Sequence, residues 1–307
     1  MNEPVLALDI GGTKITAGLV GHAGRVLHRY RRDIPHSDAE ATWAAVREAV
    51  DTARGNVTVA GVGVGCAGPI DVRTGKASPI NLPCWRDFPL LERISALLPA
   101  LPVAMAGDGV CMTMGEHLAG AGRGSENLLG VVVSTGIGGG LVLRGEPYLG
   151  RTGNAGHIGH MVTEPDGLPC TCGGRGCVET VASGPAMVRW ARVSGWQAPE
   201  SAHAEHLAAA ALMGDEIAQS AFSRAGKAVG RAIAGVAAVC DLDLVVVGGG
   251  VARSGPLLFE PLRTTLAAHS RLSYLDGLAV VPTALDEDAA LLGAASLIRT
   301  REHIRVP

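Results

Sequence analysis

One pattern of hydrophobic and polar positions occurs twice in the chain: an apolar run, a glycine-rich segment and a second apolar run. The first copy joins Val5–Asp9 to Ile15–Val20, and the second joins Leu128–Ser134 to Leu141–Leu143. Short apolar runs on either side of a glycine turn are typical of β-hairpins. The repeat therefore predicts two similar halves, each beginning with a hairpin.

Helical spacing of apolar residues alternates with further short apolar runs along the rest of the chain. Apolar residues three and four positions apart indicate a helix, whereas short apolar runs bounded by glycine indicate strands. This alternation favours an α/β fold with two α/β lobes around a cleft. The predicted helices are Ala41–Arg54, Cys111–Ala119 and Asp288–Ile298, and Leu207–Val239 is predicted to contain several helices. The further strands are Val57–Val64, Leu101–Met105, Leu244–Val247 and Leu278–Val281.

The composition fits a globular enzyme. Of the 307 residues, 47% are hydrophobic and 18% charged, which is enough apolar material for a sizeable core and two lobes. The net charge of -3 is spread over both signs, so we expect neither a nucleic-acid nor a membrane partner. No apolar run approaches about 18 residues and no signal peptide precedes the first strand, so a cytoplasmic location is expected.

A third glycine segment, Val247–Gly250, closes one of the predicted strands. Glycine turns present several backbone N–H groups on one concave surface, which favours the binding of phosphate oxygens. The segments lack the spacing of the dinucleotide fingerprint, and no Gly-Lys-Ser/Thr stands before a helix. Three such turns at strand ends therefore favour a phosphate-binding protein of another class.

These three segments carry a resemblance to a known family. Asp9–Lys14, Ser134–Gly140 and Val247–Gly250 look like the two phosphate segments and the adenosine segment of the ROK sugar kinases, and the resemblance extends from Val5 to Ile298. It implies the actin-like ATPase (ribonuclease H-like) fold, ATP as cofactor, and Asp9 holding Mg²⁺ through water. The nucleotide-binding residues that it implies are Asp9, Gly11, Gly12, Thr13, Lys14, Ser134, Thr135, Gly136, Gly138, Gly139, Gly248, Gly249 and Gly250.

Three of the seven cysteines lie close together. Cys170, Cys172 and Cys177 fall within eight residues, and His160 lies ten residues before the first of them. In a chain expected in the cytoplasm, such clustering favours a metal over disulfides. Three thiolates and one imidazole complete a tetrahedral set, so a structural Zn²⁺ is predicted. The segment matches the ROK signature C-x-C-G-x-x-G-C-x-E, which ends at Glu179.

A carboxylate that accepts the acceptor's hydroxyl proton is needed for phosphoryl transfer. Asp108 comes after a predicted strand, and it matches the catalytic aspartate of the ROK segment N-D-A-N. An Asp in this place can also be a helix cap, so its assignment depends on the other motifs. The sugar-binding residues implied by the resemblance are Gly68, Pro69, Asn81, Asp108, His157, His160 and Glu179.

Two positions depart from the family pattern. Gly107 stands where ROK kinases usually have Asn, and His157 stands where most have Glu. The segment from His157 to His160 resembles bacterial N-acetylmannosamine kinases, and an imidazole with one donor and one acceptor suits an acetamido group. We expect transfer of the γ-phosphoryl group to the 6-hydroxyl of a hexose or N-acylhexosamine, with N-acetylmannosamine preferred.

The fold implies a division of the chain. Residues 1–112 are expected to form a small N-terminal α/β lobe, and residues 113–284 a large α/β lobe with the zinc-binding loop. The terminal helix within 285–307 is expected to pack back on the small lobe. A homodimer is expected from the resemblance alone.

Other functions stay open at this point. These are a glucokinase, a kinase of a cyclitol or another polyol, and a non-catalytic sugar-binding or regulatory protein, which Gly107 and His157 favour but the intact Asp9 and Asp108 do not. A DNA-binding repressor of the same family would carry a long N-terminal extension. Here the first glycine turn begins at residue 11, and the chain is not basic.

Overall fold

A five-stranded sheet forms in the first half of the chain. The computed structural model describes residues 3–35 and 37–299. In this part of the chain, the sheet has the order β3-β2-β1-β4-β7, in which β1, β2 and β3 are antiparallel while β4 and β7 run parallel to β1. Its strands are β1 (Val5–Ile10), β2 (Lys14–Val20), β3 (Val26–Asp33), β4 (Val62–Cys66) and β7 (Val103–Gly107), and a separate pair is formed by β5 (Ile70–Asp71) and β6 (Lys76–Ala77).

The second half repeats this arrangement. Its described strands have the order β10-β9-β8-β11-β12, again with a hairpin and an antiparallel edge strand followed by two parallel strands. The repeat of two similar α/β halves, predicted from the hydrophobic pattern, is therefore confirmed. The strands are β8 (Leu128–Val133), β9 (Ile137–Leu143), β10 (Glu146–Tyr148), β11 (Leu244–Gly248) and β12 (Ala279–Pro282).

Two helices lie between the sheets. Helix α9 packs on β1 and β4, helix α3 packs on β8 and β9, and the two helices contact each other. A Cβ atom on Gly115 of α3 or on Gly293 of α9 would overlap the backbone of the facing helix, so glycine allows this close crossing. The helices are α1 (Ala39–Arg54), α2 (Leu90–Leu97), α3 (Asp108–Ala119), α4 (Glu179–Ala182), α5 (Gly184–Val193), α6 (Ala204–Leu212), α7 (Glu216–Cys240), α8 (Pro256–His269) and α9 (Asp288–Arg299).

The terminal helix packs on the first sheet, mainly through buried residues such as Leu291 and Ala294. Residues 300–307 of the predicted terminal segment lie outside the described residues. The boundary expected at residue 112 falls inside α3, which contacts strands of both sheets. The assignment of residues 1–112 and 113–284 to two lobes stays a prediction. In the described part of the chain, no helix is both long and apolar enough to cross a membrane.

Several boundaries differ from the predicted ones. Strand β3 was not predicted because it is an edge strand whose exposed positions carry arginines. Strand β4 begins at Val62, not Val57, since only this part pairs with β1. Helix α3 begins at Asp108, three residues before the predicted start. Strand β9 begins at Ile137, so Gly138 to Gly140 belong to a strand and not to the turn.

Candidate active site

A large cavity joins the two halves of the molecule. It holds about 1030 Å³, and segments that are far apart in sequence meet around it. Most residues predicted to bind nucleotide or sugar line this cavity. These are Asp9, Gly11, Gly12, Thr13, Lys14, Gly68, Asn81, Asp108, Ser134, Thr135, Gly136, Gly138, His157, His160, Glu179, Gly248, Gly249 and Gly250.

Two of the predicted residues do not line it. Gly139 is buried in β9, where a Cβ atom would lie 3.0 Å from the carbonyl oxygen of Gly156, so this glycine serves packing. Pro69 is exposed and follows Gly68 through a cis peptide bond. Gly68 itself faces the cavity, and a Cβ atom there would lie 2.5 Å from Cε1 of His157.

Close packing joins the glycine turns to the predicted sugar-binding residues. A Cβ atom on Gly12 would lie 2.7 Å from Cβ of Asn81, and one on Gly136 would lie 2.8 Å from Oε2 of Glu179. Only glycine allows such short approaches. The same carboxylate of Glu179 accepts a hydrogen bond of 2.8 Å from the backbone N–H of Ile137. The phosphate-type turns and the sugar-type side chains therefore form one continuous site.

Two carboxyl groups, those of Asp9 and Asp108, line the cavity and interact electrostatically. Asp9 is the last residue but one of the hairpin strand β1, and protein surrounds its carboxyl group even though the residue borders the cavity. Burial, assisted by the negative charge of Asp108, raises the pKa of Asp9 from 3.8 to about 7. Burial also raises the pKa of Asp108, against the hydrogen bond of 2.7 Å that its carboxylate accepts from the N–H of Gly109. Both groups are thus more basic than exposed aspartates.

Two imidazoles lie at the same end of the cavity. The rings of His157 and His160 are nearly parallel, with centroids 6.1 Å apart. Burial, with a smaller contribution from His160, lowers the pKa of His157. A neutral His157 offers one hydrogen-bond donor and one acceptor to a ligand.

The cysteine cluster borders this end of the cavity through His160. The ligand atoms of His160, Cys170, Cys172 and Cys177 all lie within 4.8 Å of one another. Cys170 Sγ is 3.7 Å from Nδ1 of His160, and Cys172 Sγ is 3.7 Å from Cys177 Sγ. A tetrahedral ion with metal–sulfur bonds of about 2.3 Å needs ligand separations of about 3.8 Å. Burial raises the pKa of the Cys177 thiol to about 12, so a cation is needed to hold it as a thiolate at neutral pH.

Comparison with known proteins decides the family. The model of the ROK family matches residues 5–301. The chain belongs to the ROK family.

Among its ROK relatives, the chain is 35% identical to a glucokinase of Thermotoga maritima, with 97% of this chain and 98% of that protein covered. It is 36% identical to an N-acetylmannosamine kinase of Yersinia pseudotuberculosis, with 96% and 98% covered. A solved ROK family glucokinase from Streptomyces griseus, in complex with glucose and AMPPNP, matches with a TM-score of 0.86 and 32% identity over 97% of this chain and 99% of that one. The actin-like ATPase fold of ROK sugar kinases is therefore shown for this chain.

One wall of the ROK cavity was not predicted from the sequence. It comes from α5, the start of α6 and the segment before α9, together with Arg31 of β3 and Arg253, and these parts lack glycine signatures. On this wall, Glu287 accepts hydrogen bonds from Arg31 at 3.0 Å and from Arg253 at 3.5 Å. The unpredicted lining residues with charged or polar side chains include Arg31, Arg189, Arg192, His203, Glu205, Arg253, Thr283, Asp286 and Glu287.

Proposed function

We propose that this ROK protein is an ATP-dependent sugar kinase that transfers the γ-phosphoryl group to the 6-hydroxyl of a hexose or N-acylhexosamine. The observation that carries the proposal is the convergence of three glycine segments, Asp108, His157 and Glu179 on one cavity. Glycine segments suit a triphosphate, and carboxylates with imidazoles suit the hydroxyls and amide of a sugar. A volume of about 1030 Å³ can hold a nucleotide and a monosaccharide together.

Asp108 would act as the general base. It lies at the first turn of α3, at the junction between the glycine segments and the histidines. Its raised pKa makes it a better proton acceptor than an exposed aspartate. The acceptor hydroxyl would lose its proton to Asp108 as the new bond to phosphorus forms, and ADP would leave on the opposite side.

Asp9 fits a role in holding Mg²⁺. The carboxyl group of Asp9 is buried beside a second carboxyl group, and its pKa is about 7 although the charge of Arg31 lowers it in part. A hydrated divalent cation would neutralise this carboxyl group, and when bound it would offset negative charge on the phosphates. Lys14 and the backbone of Gly11 and Gly12 line the cavity beside Asp9 and would hold the phosphate oxygens.

Zn²⁺ is the ion that suits the cysteine cluster. Three sulfur ligands and one nitrogen at near-tetrahedral separations favour zinc, and they leave no open position for a reacting water. The ion would fix the ring of His160, a residue that also lines the cavity, and the loop that leads to Glu179. Its role would be to order the sugar site.

N-acetylmannosamine is the acceptor we favour, and His157 supports this choice. A neutral imidazole can donate one hydrogen bond and accept another, which matches the N–H and C=O groups of an acetamido substituent. Glucose is the second candidate, because glucokinases are among the most similar relatives. A homodimer and a cytoplasmic location stay predictions from the sequence.

A coupled ADP-release assay tests the acceptor. MgATP is combined with N-acetylmannosamine, glucose, mannose, N-acetylglucosamine and a few cyclitols, using the wild type and His157→Glu. We expect the highest kcat/KM with N-acetylmannosamine, and a shift of preference towards glucose in the variant. A wild type that prefers glucose replaces the first candidate with the second, and one that phosphorylates nothing contradicts the kinase proposal.

A further inference from the structure

The loop of residues 149–157, here the crossing loop, reaches from the second half of the molecule to the first. It follows β10, and near its end Gly156 lies so close to β9 that a Cβ atom there would be 2.7 Å from Cα of Gly140. Its middle instead touches the first half, where a Cβ atom on Gly153 would lie 2.6 Å from Cγ1 of Val72. The crossing loop therefore spans the cleft beside the end of the cavity that His157 and His160 line, here called the sugar end.

Asn154 makes the central contact of this crossing. Its Oδ1 accepts a hydrogen bond of 2.9 Å from the backbone N–H of Ile70, and its Nδ2 donates one of 2.6 Å to the carbonyl oxygen of the same residue. Nδ2 also donates to Oγ1 of Thr152 at 3.0 Å, inside the loop. The backbone of Val72 adds a bond of 3.1 Å to the carbonyl oxygen of Thr152. Because Ile70 belongs to the core of the first half, these bonds hold the loop on that half.

This contact fixes two residues that face the sugar end. Gly68 lies two positions before Ile70, and His157 lies three positions after Asn154. The two meet so closely that a Cβ atom on Gly68 would be 2.6 Å from Nε2 of His157. Asn154 itself does not line the cavity. It can therefore influence the acceptor only through the residues that it positions, Gly68 and His157.

We infer that Asn154 is a positioning residue, a latch that holds His157 against the Gly68 segment and so sets the selectivity between acetamido sugars and simple hexoses. The inference rests on the proposed sugar kinase function. The amide suits this contact, because its oxygen accepts from the N–H of Ile70 while its NH₂ group donates to the C=O of the same residue. An aspartate of the same shape would keep the first bond and replace the second by repulsion between two oxygens.

Hydrogen exchange of the free protein tests the latch without catalysis. We expect Asn154→Ala to speed exchange of the amides of Ile70 and Val72 by about tenfold or more, because their acceptors are lost or loosened. The matched control is Asn127→Ala, because Asn127 also ties a loop, accepting from the N–H of Arg144 at 3.1 Å, but does not line the cavity. Unchanged exchange at Ile70 and Val72 in Asn154→Ala would overturn the latch.

Steady-state kinetics test its effect on selectivity. For Asn154→Ala and Asn154→Asp we expect KM for N-acetylmannosamine to rise between about tenfold and a hundredfold, KM for ATP to stay unchanged, and the preference over glucose to shrink. The Asn127→Ala control should match the wild type. If KM rose equally for N-acetylmannosamine and glucose, or if KM for ATP rose as well, the role of Asn154 would be merely structural and the inference would be rejected. A wild type that phosphorylates no sugar would reject the proposed function instead, and exchange at Ile70 would still decide the latch.

Discussion

The proposed chemistry depends most on Asp108. A local reading of the sequence cannot separate a base from a helix cap, and Asp108 is in fact the first residue of α3. What sets it apart is its surroundings: it borders the cavity, burial raises its pKa, and Asp9 lies near it. These features depend on the folded chain and not on the local sequence.

For Asp108→Asn we expect kcat to fall by about 10²–10⁴-fold, because the amide cannot accept the hydroxyl proton. Sugar affinity, measured by calorimetry without ATP, should stay within a few-fold of the wild type. In the wild type, kcat should fall with acid at a pH above that of an ordinary aspartate, since burial raises the pKa of Asp108. A variant with near-normal kcat would remove Asp108 from the role of base.

Asp9 gives a prediction about stability against pH. The pKa of Asp9 is about 7 in the folded chain against 3.8 for the ordinary group, so the folded chain binds this proton more tightly than the unfolded chain does. The resulting contribution to the free energy of unfolding is fully present below pH 3.8 and is lost as the pH rises through 7. Without Mg²⁺ and nucleotide, Asp9→Asn should therefore raise the free energy of unfolding at pH 8 by roughly 2–4 kcal/mol, with no gain near pH 4. Denaturant titrations at both pH values measure this, with the exposed Asp33→Asn as control. An equal gain at both pH values would contradict the account.

At the level of elements, Glu116 joins α3 to the segment that leads into α9. Its fully buried carboxylate accepts hydrogen bonds from Thr283 Oγ1, from the N–H of Leu285 at 2.9 Å and from the N–H of Ala121 at 2.8 Å. Thr283 also lines the cavity, beside Gly248. The helix that carries Asp108 is thereby tied to the end of the second sheet.

The carboxylate of Glu116 should matter more than the hydroxyl of Thr283. Glu116→Gln places donors against backbone N–H groups, so we expect a loss of about 3 kcal/mol in the free energy of unfolding. Thr283→Val removes one donor and leaves the backbone donors in place, so a loss of about 1 kcal/mol is expected. Urea titrations at one pH compare the two. A larger effect of Thr283→Val would show that the carboxylate is not the centre of this junction.

The cysteine loop should owe its order to a metal. Elemental analysis of the purified protein should find about one zinc ion per chain, and Cys172→Ser should lose the ion and lower Tm. Cys240→Ser is the matched control, because Cys240 is half-buried and not part of the cluster. A protein without metal whose thiols at Cys170, Cys172 and Cys177 react freely would refute the assignment.

Helices and strands that have a clear hydrophobic pattern of their own could be predicted from the sequence. A strand whose polar residues are explained only by its place at the edge of the sheet could not. The hairpins around Gly11 and Gly136 follow from apolar runs and glycine, and both were found. Strand β3 carries Arg29 and Arg31 at the exposed edge of the sheet, so its sequence lacks the apolar run that would predict a strand. Its Arg31 reaches the cavity wall only because β2 places it there.

For the whole molecule, the repeated hairpin predicted both the duplication and the cleft between the halves. Asp9, near the end of β1, and Gly136, between β8 and β9, lie at corresponding places in the two halves, and both line the cavity. The wall formed by α5 and the start of α6 could not be predicted, since nothing in Val188 or Arg189 distinguishes a cavity residue from an ordinary helix surface. Long-range packing of the second half decides which of its residues meet the ligand.

Phosphorus NMR of a mixture of MgATP, N-acetylmannosamine and the protein tests the central claim most directly. The account predicts that the γ-phosphate signal of ATP is replaced, one for one with ADP, by a phosphate monoester coupled to the C6 protons of the sugar, and that Asp108→Asn suppresses this conversion. Release of inorganic phosphate without a sugar ester, or unchanged ATP with every sugar supplied, would contradict the account.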